Sequence, residues 1–160
     1  MRKFEKISFR QFAKDVLCGN YNDIVIPTRK TRNSAGYDFV SFADLEILPG
    51  EMKMVPTGVK AAMGDDEYLA IIVRSSIAIK HGVHLYNQVG IVDSDYYNND
   101  SNEGHIWVPL KNDSNEVFMI SKGSAFAQGI FTRYLLVDND NTNSIRKGGI
   151  GSTDRSDKNE

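Results

Sequence analysis

The chain has 160 residues, 41% of them hydrophobic and 25% charged, which is the size and composition of one globular domain. Its 19 Lys and Arg against 21 Asp and Glu give a formal charge of −2, without the basic excess of a nucleic-acid or acidic-membrane binder, and we expect neither partner. The single cysteine, Cys18, excludes an intrachain disulfide. The sequence contains neither an apolar run of about 20 residues nor a signal-peptide pattern, and we therefore expect a cytoplasmic protein.

The N-terminal segment predicts one amphipathic helix over Ser8–Cys18. Its apolar residues recur at helical spacing, Ser8 can cap the first turn, and the pair Gly19-Asn20 supplies a stop signal. We place this helix in an N-terminal extension, residues 1–22.

From residue 23 onwards the pattern changes to short apolar runs separated by turns rich in Gly, Asp, Asn and Pro. No helical pattern lies between successive runs, which favours a β-sandwich or barrel over a parallel α/β sheet. The predicted strands are Asp23–Ile26, Asp44–Leu48, Met52–Val59, Tyr68–Val73, Val83–Val92, His105–Leu110, Glu116–Ile120 and Ala127–Val137. We place the β domain at residues 23–137 and assign residues 138–160, which are polar and glycine-rich, to a flexible C-terminal tail.

The first candidate for chemistry is Arg74-Ser75-Ser76, directly after the predicted strand Tyr68–Val73. An arginine and two hydroxyls at the end of a strand can form a cradle for an oxyanion or a phosphate. An ordinary surface turn is the competing interpretation, since so short a motif is weak evidence.

The second candidate is the segment Gly90–Tyr96. Asp93 follows an apolar strand, and a carboxylate there can orient a water as a general base. A solvated turn explains the same residues equally well, because Asp and Ser favour turns. Asn87 falls at a predicted hairpin bend, where exposed backbone groups can pair with a flat heterocycle.

The third candidate is the glycine-rich run Gly148–Thr153, with Arg146 just before it. Glycines let backbone N–H groups converge on an anion, whereas the competing interpretation is a flexible tail. The run lacks the Gly-Lys-Ser/Thr ending of a P-loop, which argues against a nucleoside triphosphatase of that class.

Taken in order, five segments of the chain resemble the five motifs of the trimeric dUTP pyrophosphatase (dUTPase) family. Each motif alone is weak, but five in order over residues 24–153 are specific. The N-terminal helix lies outside them. The five segments are Ala35–Phe39, Arg74–Val83, Asn87–Tyr96, Gly123–Gln128 and Arg146–Thr153.

The resemblance implies a mainly β fold, a distorted jelly-roll β-barrel of the dUTPase-like (β-clip) type, here with a short N-terminal helix. It implies a homotrimer in which each active site lies at a subunit interface and the glycine-rich tail closes over a neighbouring site. The implied reaction is hydrolysis of dUTP to dUMP and pyrophosphate with Mg²⁺ as cofactor.

The resemblance also implies roles for individual residues. Asp93 matches the residue that orients the attacking water, Tyr96 the aromatic that packs under the deoxyribose, and Asp38 the carboxylate that holds the metal through water. The implied uracil pocket consists of Asn87, Gly90, Ile91, Val92 and Trp107. The remaining substrate contacts are Arg74, Ser75, Ser76, Gln128, Arg146, Gly149, Ile150, Gly151 and Ser152.

Departures from the family pattern indicate a divergent branch, similar to phage or low-GC bacterial members. Ile150 replaces the phenylalanine that stacks on uracil, and we expect Tyr97 or His105 to supply part of the missing ring. The other departures are Ala125 in place of an arginine, an apparent insertion over Asn98–Glu103, and Arg146 one residue nearer the glycines than is usual.

Two alternative functions stay open on the sequence. The related dCTP deaminases share the fold and an Arg-Ser-Ser motif but use a glutamate as proton shuttle, for which Glu103 is the candidate. The second alternative is a trimeric regulatory binder that docks a protein partner through the N-terminal helix and the segment Asn98–Glu103. This second role is compatible with catalysis.

Overall fold

The computed structural model describes residues 1–144, 146, 148 and 149, and strands predominate in that range. Two α-helices, α1 (Phe9–Asp15) and α2 (Ser75–His81), and two one-turn 3₁₀ helices, Tyr21–Asp23 and Ser94–Tyr96, interrupt the strands. The strands are β1 (Lys3–Lys6), β2 (Tyr37–Val40), β3 (Leu45–Ile47), β4 (Met52–Pro56), β5 (Val59–Ala62), β6 (Glu67–Val73), β7 (Val83–Leu85), β8 (Gly90–Asp93), β9 (Trp107–Asn112), β10 (Phe118–Ile120) and β11 (Ala125–Arg133). The mainly β prediction is confirmed.

The described strands form four antiparallel sheets that enclose one core. The largest sheet has the order β2-β11-β6-β8, the next has the order β4-β9-β7, and the pairs β1-β5 and β3-β10 lie beside them. Alternation along each strand sets the inner face, so that Leu69 and Ile71 of β6 are buried and Ala70 between them is not. Over the described residues, these sheets do not join into one closed barrel. None of the helices described here is long and apolar enough to cross a membrane.

Strand β6 leads directly into helix α2, which the sequence did not predict. The helix begins after Arg74 and ends at Gly82, whose φ of +63° lies in the left-handed region that glycine adopts without strain. Ile77 is its only buried residue, while Ile79 is 82% exposed. A seven-residue helix that buries only one side chain does not produce the repeating apolar spacing from which a helix is predicted, so the sequence did not indicate it.

The segment between β7 and β8 crosses from one sheet to another. β7 pairs with β9 and β8 pairs with β6, so these two strands do not pair as the hairpin predicted around Asn87. A tight turn still bends the chain there, with the amide of Gln88 donating to the carbonyl of Leu85 at 3.0 Å. This crossing brings residues of both larger sheets around one pocket.

The N-terminal helix is present but shorter than the predicted Ser8–Cys18. Ser8 caps it as predicted, its Oγ accepting from the amide of Gln11 at 3.1 Å. The helix ends at Asp15 because Val16 adopts an extended backbone. Strand β1, which the sequence did not predict, pairs antiparallel with β5 and attaches the N-terminus to the β domain.

The predicted strand Asp23–Ile26 is not formed. Only Ile24 of that run is buried, and Pro27 directly after it has no amide to donate to a neighbouring strand. Two predicted strands are divided. Met52–Val59 is divided into β4 and β5 at Gly58, whose φ is +72°, and Val83–Val92 is divided into β7 and β8. The remaining predicted strands are present with shifted ends.

Candidate active site

Two pockets gather the predicted site residues as far as Arg146, and they share no lining residue. The first encloses about 440 Å³ between β8, the turn before it and β9. The second encloses about 250 Å³ where β2, β11 and the start of α2 meet. The first is lined by Met54, Ile71, Leu85, Asn87, Gly90, Ile91, Val92, Asp93, Tyr96, Ile106, Trp107, Pro109 and Arg146. The second is lined by Lys30, Ser34, Gly36, Asp38, Arg74, Ser75, Ser76 and Gln128.

Asp93 is the last residue of β8 and lines the first pocket. Its side chain is about half exposed, at 49%. The 3₁₀ turn Ser94–Tyr96 begins directly after it and brings Tyr96 to a buried position in the same pocket. A partly solvated carboxylate beside an aromatic wall can orient a water toward a bound molecule.

Tyr96 is held at its hydroxyl from two sides. The hydroxyl donates to the main-chain carbonyl of His105 at 3.2 Å and accepts from Nδ2 of Asn102 at 2.7 Å. Burial raises the pKa of Tyr96, so the phenol stays neutral. Only 8% of the residue is exposed, and the ring presents a fixed, flat wall to the pocket.

Arg146 lies over the rim of this pocket. Its guanidinium donates to Oδ2 of Asp93 at 2.6 Å and to Oδ1 of Asp95 at 2.9 Å. Its Cζ also lies 5.8 Å from the ring centroid of Tyr96, within cation–π range. The arginine predicted to contact an anion therefore pairs, in this structure, with Asp93 of its own chain.

The second pocket combines one carboxylate with the predicted phosphate-binding residues. Nε of Arg74 lies 3.6 Å from Oδ1 of Asp38, and the guanidinium also donates to the carbonyl of Ala125 at 3.4 Å. Gln128 lies opposite Asp38 in the β2–β11 ladder. Oδ2 of Asp38 is buried and has no hydrogen-bond partner among the described residues, which is costly for a carboxylate oxygen.

Gly36 leaves room for the Gln128 side chain in the second pocket. A Cβ at this position would lie 2.2 Å from Oε1 of Gln128. Any larger residue would displace the Gln128 amide, one of the polar groups that line the pocket.

Within one chain, the two pockets lie at opposite ends of β6. Asp93 pairs with Tyr68 near the start of that strand, and Arg74 follows its last residue, Val73. Six residues of extended strand span roughly 20 Å. A ligand of nucleotide size that reaches Asp93 of one chain therefore does not reach Arg74 of the same chain.

The rings expected to replace the missing phenylalanine lie elsewhere, so this prediction was wrong. His105 is fully buried, with its ring centroid 4.9 Å from that of Trp107. The hydroxyl of Tyr97 is bonded to Glu5 of β1. Of these three rings, Trp107 lines the first pocket. Side chains along β9 point alternately into and away from the core, and that of Trp107 points away from it.

The C-terminal site residues are described only in part. Gly149 lies beside the segment Asn98–Glu103, since a Cβ there would be 3.1 Å from Oγ of Ser101. The predicted contacts Ile150, Gly151 and Ser152 lie outside the described residues.

The sequence reasoning missed several lining residues. In the first pocket these include Met54 and Pro109, which are register partners in the β4–β9 ladder and project to the same face. The two-residue period of a strand was a usable signal, since Pro109 lies two positions after Trp107 and therefore projects to the same face of β9. Lys30 of the second pocket lies in a loop and carried no such signal.

Comparison with known proteins decides the family. The sequence model of the dUTPase family matches residues 22–156 of this chain. The chain belongs to the dUTPase family. It is similar to the deoxyuridine 5'-triphosphate nucleotidohydrolase of Lactococcus lactis subsp. lactis (strain IL1403), at 44% identity over 132 residues that cover 81% of this chain and 88% of that protein.

Solved structures of dUTPases agree with the fold. The crystal structure of the dUTPase from Streptococcus mutans is similar with a TM-score of 0.73 and 38% identity, covering 85% of this chain and 98% of that one. A mutant dUTPase from phage phi11 of S. aureus, described with a structural Mg(II) ion, is similar with a TM-score of 0.66 and 15% identity over 90% of this chain and 97% of that one. The second likeness concerns the fold alone. In this dUTPase, β1 and α1 precede the family match at residue 22.

Proposed function

We propose that this dUTPase-family chain hydrolyses dUTP to dUMP and pyrophosphate by attack of water on the α-phosphate. This activity would limit uracil incorporation into DNA and supply dUMP for dTMP synthesis. The observation that carries the proposal is the first pocket, where a partly solvated carboxylate, Asp93, lies beside the flat wall of Tyr96 in a chain 44% identical to a named dUTP nucleotidohydrolase.

In the first pocket, Asp93 orients the attacking water and Tyr96 packs under the sugar. A ring fixed at its hydroxyl leaves no space for a 2′-hydroxyl, which favours deoxyribose. Asn87 and the backbone of Gly90–Val92 pair with the uracil edge, and Trp107 forms part of the pocket wall. Unpaired polar groups would reject cytosine strongly, because a site built for hydrogen bonds penalises a base that cannot make them.

In the second pocket, Arg74, Ser75, Ser76 and Gln128 bind the triphosphate. Arginine suits this role because its planar fork matches phosphate oxygens in pairs. Arg146 and the tail residues Gly149, Ile150, Gly151 and Ser152 complete the enclosure of the substrate.

The residues of the second pocket fit a magnesium ion bound mainly through water. Asp38 offers a buried carboxylate oxygen, Oδ2, with no partner among the described residues, and hydroxyl and amide oxygens lie around it. Mg²⁺ keeps several waters and takes one or two carboxylates together with phosphate oxygens. When bound, the ion would neutralise charge on the triphosphate. Asp38 would hold it by accepting hydrogen bonds from its waters.

Assembly as a homotrimer completes the site. The two pockets of one chain are roughly 20 Å apart along β6, so Asp93 of one chain must meet Arg74 of another for both to contact one nucleotide. Sedimentation equilibrium should give a mass of three chains at micromolar concentration. A monomer with full activity would refute the shared site.

A panel of nucleotides tests the reaction. The purified protein with Mg²⁺ is incubated with dUTP, dCTP, dTTP and UTP, and pyrophosphate and ammonia are both measured. We expect pyrophosphate from dUTP alone, at a rate far above the other three. Ammonia from dCTP, or no pyrophosphate from dUTP, would refute the proposal.

The deaminase alternative loses its proposed proton shuttle. Both carboxylate oxygens of Glu103 are bonded to Ser8 at the start of α1, and Glu103 is not among the residues that line the first pocket. The relatives from Lactococcus lactis and Streptococcus mutans are named as dUTPases, which favours neither this alternative nor the regulatory binder, and we propose neither.

A further inference from the structure

The N-terminal helix contacts the segment that follows the 3₁₀ turn of the active site. We call this segment, Asn98–Gly104, the Tyr96 loop. At the start of α1, the amide of Ser8 donates to Oε2 of Glu103 at 2.9 Å, and in the last turn Lys14 donates to the carbonyl of Ser101 at 3.0 Å. At its end, Oδ2 of Asp15 lies 2.7 Å from Nδ1 of His105. Helix α1 therefore contacts the Tyr96 loop at both ends and also contacts the residue that follows it.

His105 is fixed through both ring nitrogens. The amide of Gly58 donates to Nε2 at 3.0 Å, so Nε2 is an acceptor and the ring proton is on Nδ1, where it is donated to Asp15. The residue is fully buried, which leaves its ring no alternative partner in water. Two opposed hydrogen bonds determine the orientation of this imidazole and of the main chain that carries it.

The main chain of His105 in turn holds the ring of Tyr96. Its carbonyl accepts from the Tyr96 hydroxyl at 3.2 Å, and Asn102 of the Tyr96 loop donates to the same hydroxyl at 2.7 Å. The His105 ring also packs against Trp107, another wall of the first pocket. A continuous chain of contacts thus leads from Asp15, outside the family match, to the wall of the pocket.

We propose that Asp15 is a positioning residue for the sugar subsite, which acts through His105 to hold Tyr96 where it excludes a 2′-hydroxyl. The proposal rests on the proposed function, since it specifies how the same pocket selects 2′-deoxynucleotides. The carboxylate of Asp15 touches no substrate; it fixes an imidazole, the imidazole fixes a carbonyl, and the carbonyl fixes the phenol. Displacement of a wall by a fraction of an ångström is enough to change selectivity.

The test compares kcat and KM for dUTP and UTP in Asp15→Ala and Asp15→Asn. Asp15→Ala should lower the ratio of kcat/KM for dUTP to kcat/KM for UTP by about tenfold. The change should lie mainly in the KM values, because Asp93, which orients the attacking water, is untouched. Asp15→Asn should stay near the wild-type ratio, since the amide oxygen still accepts from Nδ1. Arg10→Ala, an exposed position on the same helix, serves as the control for general effects on α1.

A double-mutant cycle separates positioning from general destabilisation. Tyr96→Phe removes the hydroxyl that links the ring to His105. Asp15→Ala should therefore change the ratio less than about twofold when Phe stands at position 96. The same tenfold loss in both backgrounds would show that Asp15 does not act through Tyr96. An unchanged ratio in Asp15→Ala alone would also overturn the proposal.

A binding measurement keeps the proposal testable without turnover. Calorimetry with dUMP and UMP reports the same selectivity as a ratio of Kd values, and this ratio should fall by a similar factor in Asp15→Ala. A wild-type protein that prefers dUMP but releases no pyrophosphate from dUTP would refute the proposed function alone. If Asp15→Ala does not fold, Asp15→Ser, whose hydroxyl is too short to reach Nδ1, replaces it.

Discussion

At the scale of single residues, Arg146 determines how the carboxylates of the first pocket are paired. Its guanidinium lies 2.6 Å from Asp93 and 2.9 Å from Asp95, so the carboxylate proposed to orient water is paired instead with a cation. A triphosphate is a stronger partner for arginine than either carboxylate, because it offers more negative charge and paired oxygens. Substrate binding would therefore draw Arg146 from Asp93 and leave the carboxylate free for water.

Asp93→Asn should abolish turnover while dUTP binding is kept. The amide has nearly the same shape but is a far weaker base, so we expect kcat to fall by about 10²–10⁴-fold. Steady-state pyrophosphate release measures kcat, and calorimetry with a non-hydrolysable dUTP analogue measures binding. Asp95→Asn is the matched control, since it removes the other carboxylate bonded to Arg146, and its kcat should change only a fewfold. Wild-type kcat in Asp93→Asn would refute the assigned role.

His105 should make the protein less stable in mild acid. Burial lowers its pKa below the ordinary value of 6.5, and this outweighs the opposing effects of Asp15 on α1 and Glu103 on the Tyr96 loop. As the pH falls below 6.5, the unfolded chain binds a proton that the folded chain does not, and the free energy of unfolding decreases by at most about 1.4 kcal/mol per pH unit.

Urea unfolding at pH 7.5 and 5.5 measures this effect in the wild type and in His105→Asn. Groups that do not contact His105 titrate equally in both proteins, so the difference between their pH slopes reports His105 together with its partner Asp15. We expect the smaller slope in His105→Asn. Equal slopes would show that His105 titrates alike in the folded and unfolded chain.

At the scale of elements, the Tyr96 loop shows what a pattern of residues can and cannot predict. The sequence marks the segment as an insertion. It does not predict that the segment contacts α1, because Ser8 and Glu103 are 95 residues apart in the chain. The strand β1 was missed for a similar reason, since its pairing with β5 becomes clear only in three dimensions. Strands that coincide with a clear apolar run, such as β6 and β9, were predicted to within a few residues.

Gly104→Ala should destabilise the protein and loosen the first pocket. Gly104 has a φ of +80°, and a Cβ there would lie 2.6 Å from the carbonyl oxygen of Tyr96 and 3.0 Å from Cα of Tyr97. These are backbone atoms that cannot rotate away, so we expect a loss of about 2–4 kcal/mol in the free energy of unfolding.

Gly123→Ala is the matched control for the backbone term. Gly123 has nearly the same φ, +82°, but a Cβ there would meet nothing within 4 Å. It should cost only about 1 kcal/mol, the strain of a left-handed alanine. Urea unfolding of both variants gives the comparison, and equal losses would show that the contact with Tyr96 is unimportant.

For the whole molecule, the formal charge of −2 conceals two local surfaces of different character. The first pocket is mostly apolar, whereas the second combines Lys30 and Arg74 with hydroxyl and amide groups around Asp38. The short motifs named Asp93 and Tyr96 of the first pocket and Arg74 of the second, but they did not name Met54 or Lys30. The sequence could not show that one chain holds the two groups apart, since that follows from the register of β6 with β8.

The placement of the two pockets at opposite ends of β6 has a genetic consequence. Asp93→Asn and Arg74→Ala should each inactivate the protein by removing a side chain from a different pocket. Subunits of both kinds in one assembly should therefore complement each other. With random mixing of equal amounts, each site has a one-in-two chance of an intact Asp93 from one chain and a one-in-two chance of an intact Arg74 from the other. Roughly a quarter of wild-type activity should therefore return. Unfolding and refolding the two proteins together, with each refolded alone as control, would reveal it. No recovery in assemblies shown to contain both variants would mean that each chain carries a complete site.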